Sequence, residues 1–347
     1  MASDVQRFGT ATVARARSSD DLRRLLDDPW LQGDTVIVKP NWVTTDPGAF
    51  TDCGTMRMLL EALDSSVVVV EGHQVVRCLS DVEDGLPFNI MSREHDWHWL
   101  HRGGWNYIAE NDDWDWFKEG PHWDHLRKLD REFMDEKGFS DLFNELGAEY
   151  FNVTDEIWSG RTVDPAVIKG AVESRFRPVF DERLYGFVPK ALYELRGSTL
   201  ISFTKIKQYA TFTMKNLFGL VPDPIRAWWH GPKNSRFDDS IVGINKVYES
   251  LFNVYGICEA LRRTPIVNPE GKIKIPGYTY DVVEDIGMVA FGRDRVALDA
   301  VMCGLGGFEF KEVSYLEKAC EMGRFDLGDV EKARSKRADW LLPTRPE

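Results

Sequence analysis

Two short apolar runs separated by a helical segment set the strongest limit on how this chain can fold. The runs are residues 35–38 (TVIV) and 67–70 (VVVV), and residues 51–63 between them carry apolar side chains at helical spacing. Neither run alternates with polar residues, which is typical of strands covered on both faces. We therefore predict an α/β fold with a mostly parallel sheet flanked by helices.

The pattern of strands and helices is interrupted once, at residues 80–138, which are polar, acidic and rich in tryptophan. Disordered linkers are poor in aromatic residues, so we predict an inserted helical subdomain or lid within a single domain spanning residues 1–347. The tryptophans would pack in a core or cover a substrate. They include Trp97, Trp99, Trp105, Trp114, Trp116 and Trp123.

The overall charge of −13 argues against a nucleic-acid partner or an anionic membrane surface. The sequence has no apolar stretch long enough to cross a bilayer, and its first residues lack the apolar core of a signal peptide. The five cysteines form no C-x-x-C pair, which favours a reducing compartment. We therefore expect a cytoplasmic protein, and the sequence leaves its oligomeric state open.

Residues 199–220 (TLISFTKIKQYATFTMKNLFGL) concentrate basic side chains at a predicted strand-to-helix turn. Lys205 and Lys207 are two residues apart, so at strand spacing they leave the same face. The helical pattern that follows carries Lys215 and Asn216. This arrangement predicts an anion or carbonyl site, although solvated surface lysines would give the same pattern.

Polar side chains also follow the other predicted strands. In open parallel sheets, ligands bind beyond the carboxyl ends of the strands. If these strands are parallel neighbours, their polar ends converge on one crevice in which carboxylates can tune lysine pKa values. A structural ion-pair network would use the same residues. The strand ends carry Lys39 and Asn41, Glu71 and His73, Lys205 and Lys207, and Arg293 and Asp294, with Asp299 one helical turn further.

From these positions we expect an enzyme that acts on a small carboxylated or phosphorylated metabolite, by proton transfer and isomerisation or by a redox step. The predicted catalytic residues are Lys205, Lys207, Glu71, Asp294 and Asp299. The predicted substrate-binding residues are Lys39, Asn41, Lys215, Asn216, His73 and His230. A non-catalytic ligand-binding or redox-partner docking protein is the first alternative.

A metalloprotein is the second alternative. His95, His98 and His101 recur every three residues, and ligands three or four residues apart share one helical face. A divalent metal could bind there. The aromatic residues around these histidines favour a packing role in a lid instead.

The strand-end motifs resemble the family known as domain of unknown function 362. Three blocks carry the resemblance: residues 36–43 with 67–72, residues 203–222, and residues 289–309. The family has no assigned function, and many members carry an added ferredoxin-type cluster domain. The cysteine cluster of that domain is missing here, so we expect no iron–sulfur cluster. The lysine pair of the family is commonly followed by Thr-His, whereas Gln208 stands near that histidine position in this chain.

Overall fold

The computed structural model describes residues 5–74, 121–207, 209–222, 226–275 and 278–340. The main sheet has eight strands, and a smaller sheet has three. The main strands are β1 (Val5–Phe8), β2 (Ala11–Arg15), β3 (Thr35–Lys39), β4 (Ser66–Glu71), β5 (Glu149–Asn152), β6 (Thr199–Lys205), β7 (Asn253–Ala260) and β11 (Met288–Gly292). The small sheet contains β8 (Thr264–Val267), β9 (Ile273–Ile275) and β10 (Tyr278–Val283).

Helices cover both faces of the main sheet. The first seven are α1 (Ser19–Leu25), α2 (Cys53–Ala62), α3 (Pro121–Glu136), α4 (Phe139–Leu146), α5 (Val153–Trp158), α6 (Pro165–Glu173) and α7 (Lys190–Glu194). The others are α8 (Thr213–Leu217), α9 (Arg226–His230), α10 (Phe237–Leu251), α11 (Arg295–Gly306), α12 (Tyr315–Lys318), α13 (Leu327–Ser335) and α14 (Arg337–Trp340).

The strand order of the main sheet is β1-β2-β11-β7-β6-β3-β4-β5. The five strands β7, β6, β3, β4 and β5 run parallel to one another. At the other end, β11 runs antiparallel to both β7 and β2. The predicted α/β fold with a mostly parallel sheet is therefore confirmed.

The central parallel strands β3, β6 and β7 are buried on both faces, which is typical of such strands in a parallel sheet. On β3, the Ile37 side chain joins one core cluster, while Val36 and Val38 join another on the opposite face. The side chains of the neighbouring strand β6 alternate in the same way, with Leu200 in the first cluster and Ile201 in the second. The alternation places the two helical layers on opposite sides of the sheet.

Two segments differ from the sequence prediction or lie partly outside the described residues. The sequence of residues 241–261 also predicts one long amphipathic helix, but helix α10 ends at Leu251 and β7 follows. Because both elements are almost completely buried, the apolar pattern does not change at their junction. Of the predicted insertion 80–138, residues 80–120 lie outside the described residues, and the described remainder begins with α3.

Helix α3 contributes Phe133 and Met134 to the core around Trp42. The ring centroids of Trp42 and Phe133 are 5.7 Å apart, in an edge-to-face arrangement. This end of the predicted insertion therefore packs on the α/β core. Among the described helices, none has the length and apolar character needed to span a membrane.

Candidate functional site

The order of the parallel strands reverses between β3 and β6. The chain moves outward from β3 through β4 to β5 on one side, and from β6 to β7 on the other. In open α/β sheets, ligands bind outside the carboxyl ends of the strands at such a switch point. Lys39 is the last residue of β3 and Lys205 is the last residue of β6. The predicted lysines therefore flank the position where the topology favours a ligand site.

The first part of the site is a buried ion pair between neighbouring strand ends. The Nζ atom of Lys39 lies 2.8 Å from Oε2 of Glu71, and both side chains are almost fully excluded from solvent. Glu71 also accepts hydrogen bonds from the backbone N–H groups of Gly72 (3.1 Å) and Trp42 (3.4 Å). Gly219 covers the pair so closely that a Cβ atom there would lie 2.7 Å from Lys39 Nζ.

Asn216 on α8 joins the ends of β3 and β6. Its Oδ1 atom accepts hydrogen bonds from Lys39 Nζ (3.3 Å) and Asn41 Nδ2 (2.8 Å). Its Nδ2 atom donates to the Lys39 carbonyl oxygen (3.1 Å) and to Ser202 Oγ (3.1 Å). The amide is thus fixed by donors on one side and acceptors on the other, which holds α8 against both strands.

A second buried ion pair links β6 to β7. Lys205 Nζ lies 3.1 Å from Oε2 of Glu259, and neither side chain is exposed to solvent. Burial raises the pKa of Glu259 to about 7, although the adjacent Lys205 ammonium acts in the opposite direction. In the described part of the chain, the second carboxylate oxygen of Glu259 has no hydrogen-bond donor.

Lys207 differs from the paired lysines. Its side chain is buried, and its Nζ atom has no hydrogen-bond partner among the described residues. Burial, followed by the nearby Lys215 charge, lowers the pKa of Lys207 to about 7. Lys215 Nζ donates to the Ala210 carbonyl oxygen (3.2 Å), and burial lowers the pKa of Lys215 to about 8. The two Nζ atoms lie 5.7 and 5.3 Å from the centroid of the Tyr209 ring.

Asp299 holds the start of α8, the short helix that carries Lys215 and Asn216. Its carboxylate accepts hydrogen bonds from the backbone N–H groups of Thr213 (2.9 Å) and Met214 (3.0 Å). The Thr213 hydroxyl and the Tyr315 hydroxyl also donate to it, at 2.6 and 3.1 Å. Burial raises the pKa of Asp299 to about 6, against the effect of these donors. In this structure Asp299 positions α8 and contacts none of the lysines.

We expect Asp299→Asn to lower the free energy of unfolding by about 1–3 kcal/mol. The amide NH2 group of asparagine would face N–H or O–H donors at a position where a carboxylate oxygen accepts their hydrogen bonds. Urea denaturation followed by fluorescence measures this change. The Asp164→Asn exchange, at an exposed helix cap, keeps a side-chain oxygen for the Ala166 N–H group and serves as the control. Equal stability of Asp299→Asn and the wild type would contradict the anchoring role.

His73 lies beyond the end of β4 with both ring nitrogens engaged. Its Nε2 atom is 2.9 Å from Oδ1 of Asp155, and its Nδ1 atom is 3.2 Å from Nδ2 of Asn152. Asn152 Oδ1 accepts from the N–H groups of Thr154 and Asp155, which fixes Nδ2 as the group facing His73. Nδ1 of His73 is therefore the acceptor and Nε2 donates to Asp155. This geometry makes His73 part of a closed hydrogen-bond network.

The same network ties α3 to the sheet. Asp155 accepts hydrogen bonds from Trp123 Nε1 (2.8 Å) and Arg127 Nε (2.9 Å) as well as from His73. Burial raises the pKa of Asp155, but the hydrogen bonds from His73, Arg127 and Trp123 outweigh it and bring the value to about 2. Trp123 is the one tryptophan of the predicted insertion that lies within the described residues.

Asp294 lies at the opposite edge of the sheet, contrary to the expected convergence of all four strand ends. Because β11 is antiparallel to β7, its carboxyl end pairs near the start of β7. Asp294 caps α11 by accepting from the Ala297 N–H (3.0 Å), and the adjacent Arg293 pairs with Asp28 (2.7 Å). Both residues line a separate cavity of about 510 Å³.

His230 lies near the lysines without bonding to them. Its ring stacks on Phe237 with centroids 4.3 Å apart, and Phe237 also lies 5.3 Å from Lys215 Nζ. Burial lowers the pKa of His230 to about 4. The predicted residues that the structure brings together are Lys39, Asn41, Glu71, Lys205, Lys207, Lys215 and Asn216.

Glu259 is the charged residue of the site that the sequence prediction missed. It lies in a segment that was predicted to be the end of a helix, where a single glutamate gives no reason to predict a functional site. A strand assignment for 253–260 would have placed it at the end of β7, opposite Lys205.

No cluster of three or more histidine, cysteine, aspartate or glutamate side chains suited to a metal occurs among the described residues. His95, His98 and His101 lie outside the described residues, as does Gln208. The metal prediction for those histidines therefore stays a prediction.

Comparison with known proteins gives one match. A family model described as Domain of unknown function (DUF362) matches residues 118–304, more than half of the chain. No curated protein and no solved structure matches. The matched region contains Lys205, Lys207, Asn216 and Glu259, whereas Lys39 precedes it. The chain belongs to the DUF362 family, whose function is not assigned.

Proposed function

We propose that the protein is an enzyme that binds a small carboxylated or phosphorylated metabolite at the lysine cluster. The lysine cluster consists of Lys39, Lys205, Lys207 and Lys215, which follow or end neighbouring strands or lie on α8. The proposal includes catalysis by proton transfer or by a redox step with an external cofactor. The observation that carries it is the buried Lys207 ammonium without a hydrogen-bond partner among the described residues.

The charge balance of the cluster supports an anionic ligand. Among the described residues, two of its four lysines are paired with a buried carboxylate, Lys39 with Glu71 and Lys205 with Glu259. When all of these groups are ionised, the cluster carries an excess of positive charge in a region of low dielectric constant. Such an excess is costly unless an anion neutralises it. A carboxylate or phosphate group would supply both the charge and the acceptors that Lys207 lacks.

Lowered lysine pKa values within the cluster support a catalytic role. Burial lowers the pKa of Lys207 to about 7 and that of Lys215 to about 8, so both side chains can exchange a proton near neutral pH. A lysine that can be either an amine or an ammonium at the working pH suits general acid–base catalysis. Lys207 would accept a proton and Lys215 would donate one or bind the anionic group.

Binding of an anion is tested by thermal unfolding with phosphate, oxalate or malonate. We expect each effective anion to raise the midpoint of unfolding, more at about pH 6 than at about pH 9, because Lys207 is charged only at the lower pH. Lys207→Met should remove most of this increase. Replacing the exposed Lys190 by Met is the matched control and should leave it unchanged.

An equal response of wild type and Lys207→Met to every anion would overturn this assignment. A non-catalytic ligand-binding protein is the second candidate, since the two ion pairs would also form a stable binding site without chemistry. A stabilising metabolite that is recovered unchanged after long incubation, with and without redox cofactors, would favour that candidate.

A further inference from the structure

We propose that the Nζ atom of Lys207 forms an imine with the carbonyl group of an oxo acid held in the lysine cluster. This inference rests on the proposed function, because anion binding at the cluster is what would bring the carbonyl group to Lys207. It goes further by naming the substrate class, an acid that carries a ketone or aldehyde, and the covalent nucleophile.

The four lysines divide into those with polar partners and one without. Lys39 is bound to Glu71, Lys205 to Glu259, and Lys215 to the Ala210 carbonyl oxygen. Each of these Nζ atoms donates a hydrogen bond to an oxygen atom. The Lys207 Nζ atom has no such oxygen among the described residues. Its lone pair is therefore the one that a substrate carbon can reach without breaking an existing hydrogen bond.

The surroundings of Lys207 keep its amine available at neutral pH. Its side chain is 1% exposed, so water does not stabilise the ammonium form. The Lys215 and Lys39 charges disfavour a further positive charge nearby, and together with burial they lower the pKa of Lys207 to about 7. Desolvation and an adjacent cation are the two means by which proteins activate lysine nucleophiles.

The proposed step balances with groups that the cluster contains. The neutral Lys207 amine attacks the carbonyl carbon, the electron pair of the C=O double bond moves to oxygen, and one proton passes from the nitrogen to that oxygen to give a neutral carbinolamine. The carbinolamine hydroxyl group then takes a second proton, supplied by the Lys215 ammonium, and leaves as water while the nitrogen lone pair forms the C=N bond. The net reaction joins an amine, a carbonyl group and one proton into an iminium ion and one water molecule.

Neighbouring charges would then hold the acid group of the same molecule. Lys215 stays mostly protonated at neutral pH because its pKa is about 8, and Lys205 lies at the end of the strand that leads to Lys207. An oxo acid presents a carboxylate next to or near its carbonyl carbon. Its iminium ion withdraws electrons from the neighbouring bonds, which favours proton removal or loss of carbon dioxide there.

Reductive trapping on the full-length protein tests the inference without a known substrate. The protein is incubated with pyruvate or 2-oxoglutarate and cyanoborohydride, and the modified lysines are located by peptide mass spectrometry. We expect Lys207 to be modified at least about tenfold faster than the exposed Lys190, because the lowered pKa of Lys207 leaves much of its amine neutral at pH 7.5. Lactate, which has a hydroxyl group in place of the ketone of pyruvate, should give no adduct.

The Lys207→Arg variant separates the two proposals. It keeps a positive charge at position 207 but has no amine that can form an imine. We expect it to lose the adduct and to retain thermal stabilisation by phosphate. Stabilisation of the wild type by anions without an adduct at Lys207, or adducts spread evenly over exposed lysines, would overturn the imine alone. Absence of both the adduct and the stabilisation would overturn the imine and the proposed anion site together.

Discussion

Lys39→Met is expected to lower the free energy of unfolding by about 3–5 kcal/mol, because it leaves the Glu71 carboxylate buried without its counter-ion. Methionine fills a similar volume, so the loss reports the missing charge and its hydrogen bonds to Pro40 and Asn216. Among the described residues, Glu71 would keep the N–H donors of Gly72 and Trp42. Urea denaturation near pH 7 measures the change.

A double variant identifies the cause of this loss. In Lys39→Met with Glu71→Gln, no unpaired charge remains, so we expect more than half of the lost stability to return. The exposed pair of Lys169 and Glu182 provides the control, since Lys169→Met should leave the denaturation midpoint almost unchanged. A Lys39→Met protein as stable as the wild type would show that the buried pair contributes nothing to folding.

Lys207→Met is expected to have the opposite effect and to stabilise the protein below pH 7. In the folded state burial lowers the pKa of Lys207 to about 7, whereas an unfolded lysine has a value near 10.5. Below pH 7 the folded protein therefore contains an ammonium whose burial costs on the order of a few kcal/mol. Methionine removes that cost together with the proposed nucleophile.

The pH dependence of this gain has a definite sign. Between about pH 7 and 10.5, the unfolded chain binds a proton at Lys207 that the folded chain does not, so wild-type stability rises with pH across this window. The advantage of Lys207→Met should consequently be largest near pH 6 and shrink toward pH 10. Urea denaturation of both proteins at several pH values provides the comparison. A pH-independent difference would mean that Lys207 does not titrate with a lowered pKa.

The sequence was informative where a polar residue ends an otherwise apolar strand. Lys39, Glu71 and Lys205 each follow runs buried on both faces, so they stood out and were predicted to share one edge of the sheet. Asn216 was assigned to the same site because only a short turn separates β6 from the helix that carries it. These residues do meet in the structure.

Strand direction was the missing information for Asp294. The apolar run of β11 has the same composition whichever way the strand points, so its polar end was assigned to the wrong edge. A parallel return from β7 would need a crossover, usually a helix. The described residues between β7 and β11 contain the small antiparallel sheet in place of one. The strands of that sheet were the available signal for an antiparallel β11.

Asp299 and His73 show a second limit of prediction from the sequence. Their residue types suit acid–base chemistry, but their roles depend on partners far away in sequence. Asp299 bonds to the start of α8 across 86 positions, and His73 bonds to Asp155 across 82. The residues next to them in the sequence give no indication of these partners. In the structure, both side chains are engaged in the long-range hydrogen bonds.

The pairing of β3 with β6 has a consequence for how the protein acquires its site during folding. Val36 lies opposite Thr199, so a segment close to half of the chain length must be arranged before Lys39 and Lys205 lie on adjacent strands. Closing so large a loop carries an entropic cost that only the completed sheet offsets. A nascent chain can form the β3–β4 pair early, but the lysine cluster is complete only after β6 and β7 have been synthesised and docked. The site therefore forms after the β3–β4 part of the parallel sheet, once the chain has been synthesised through β7.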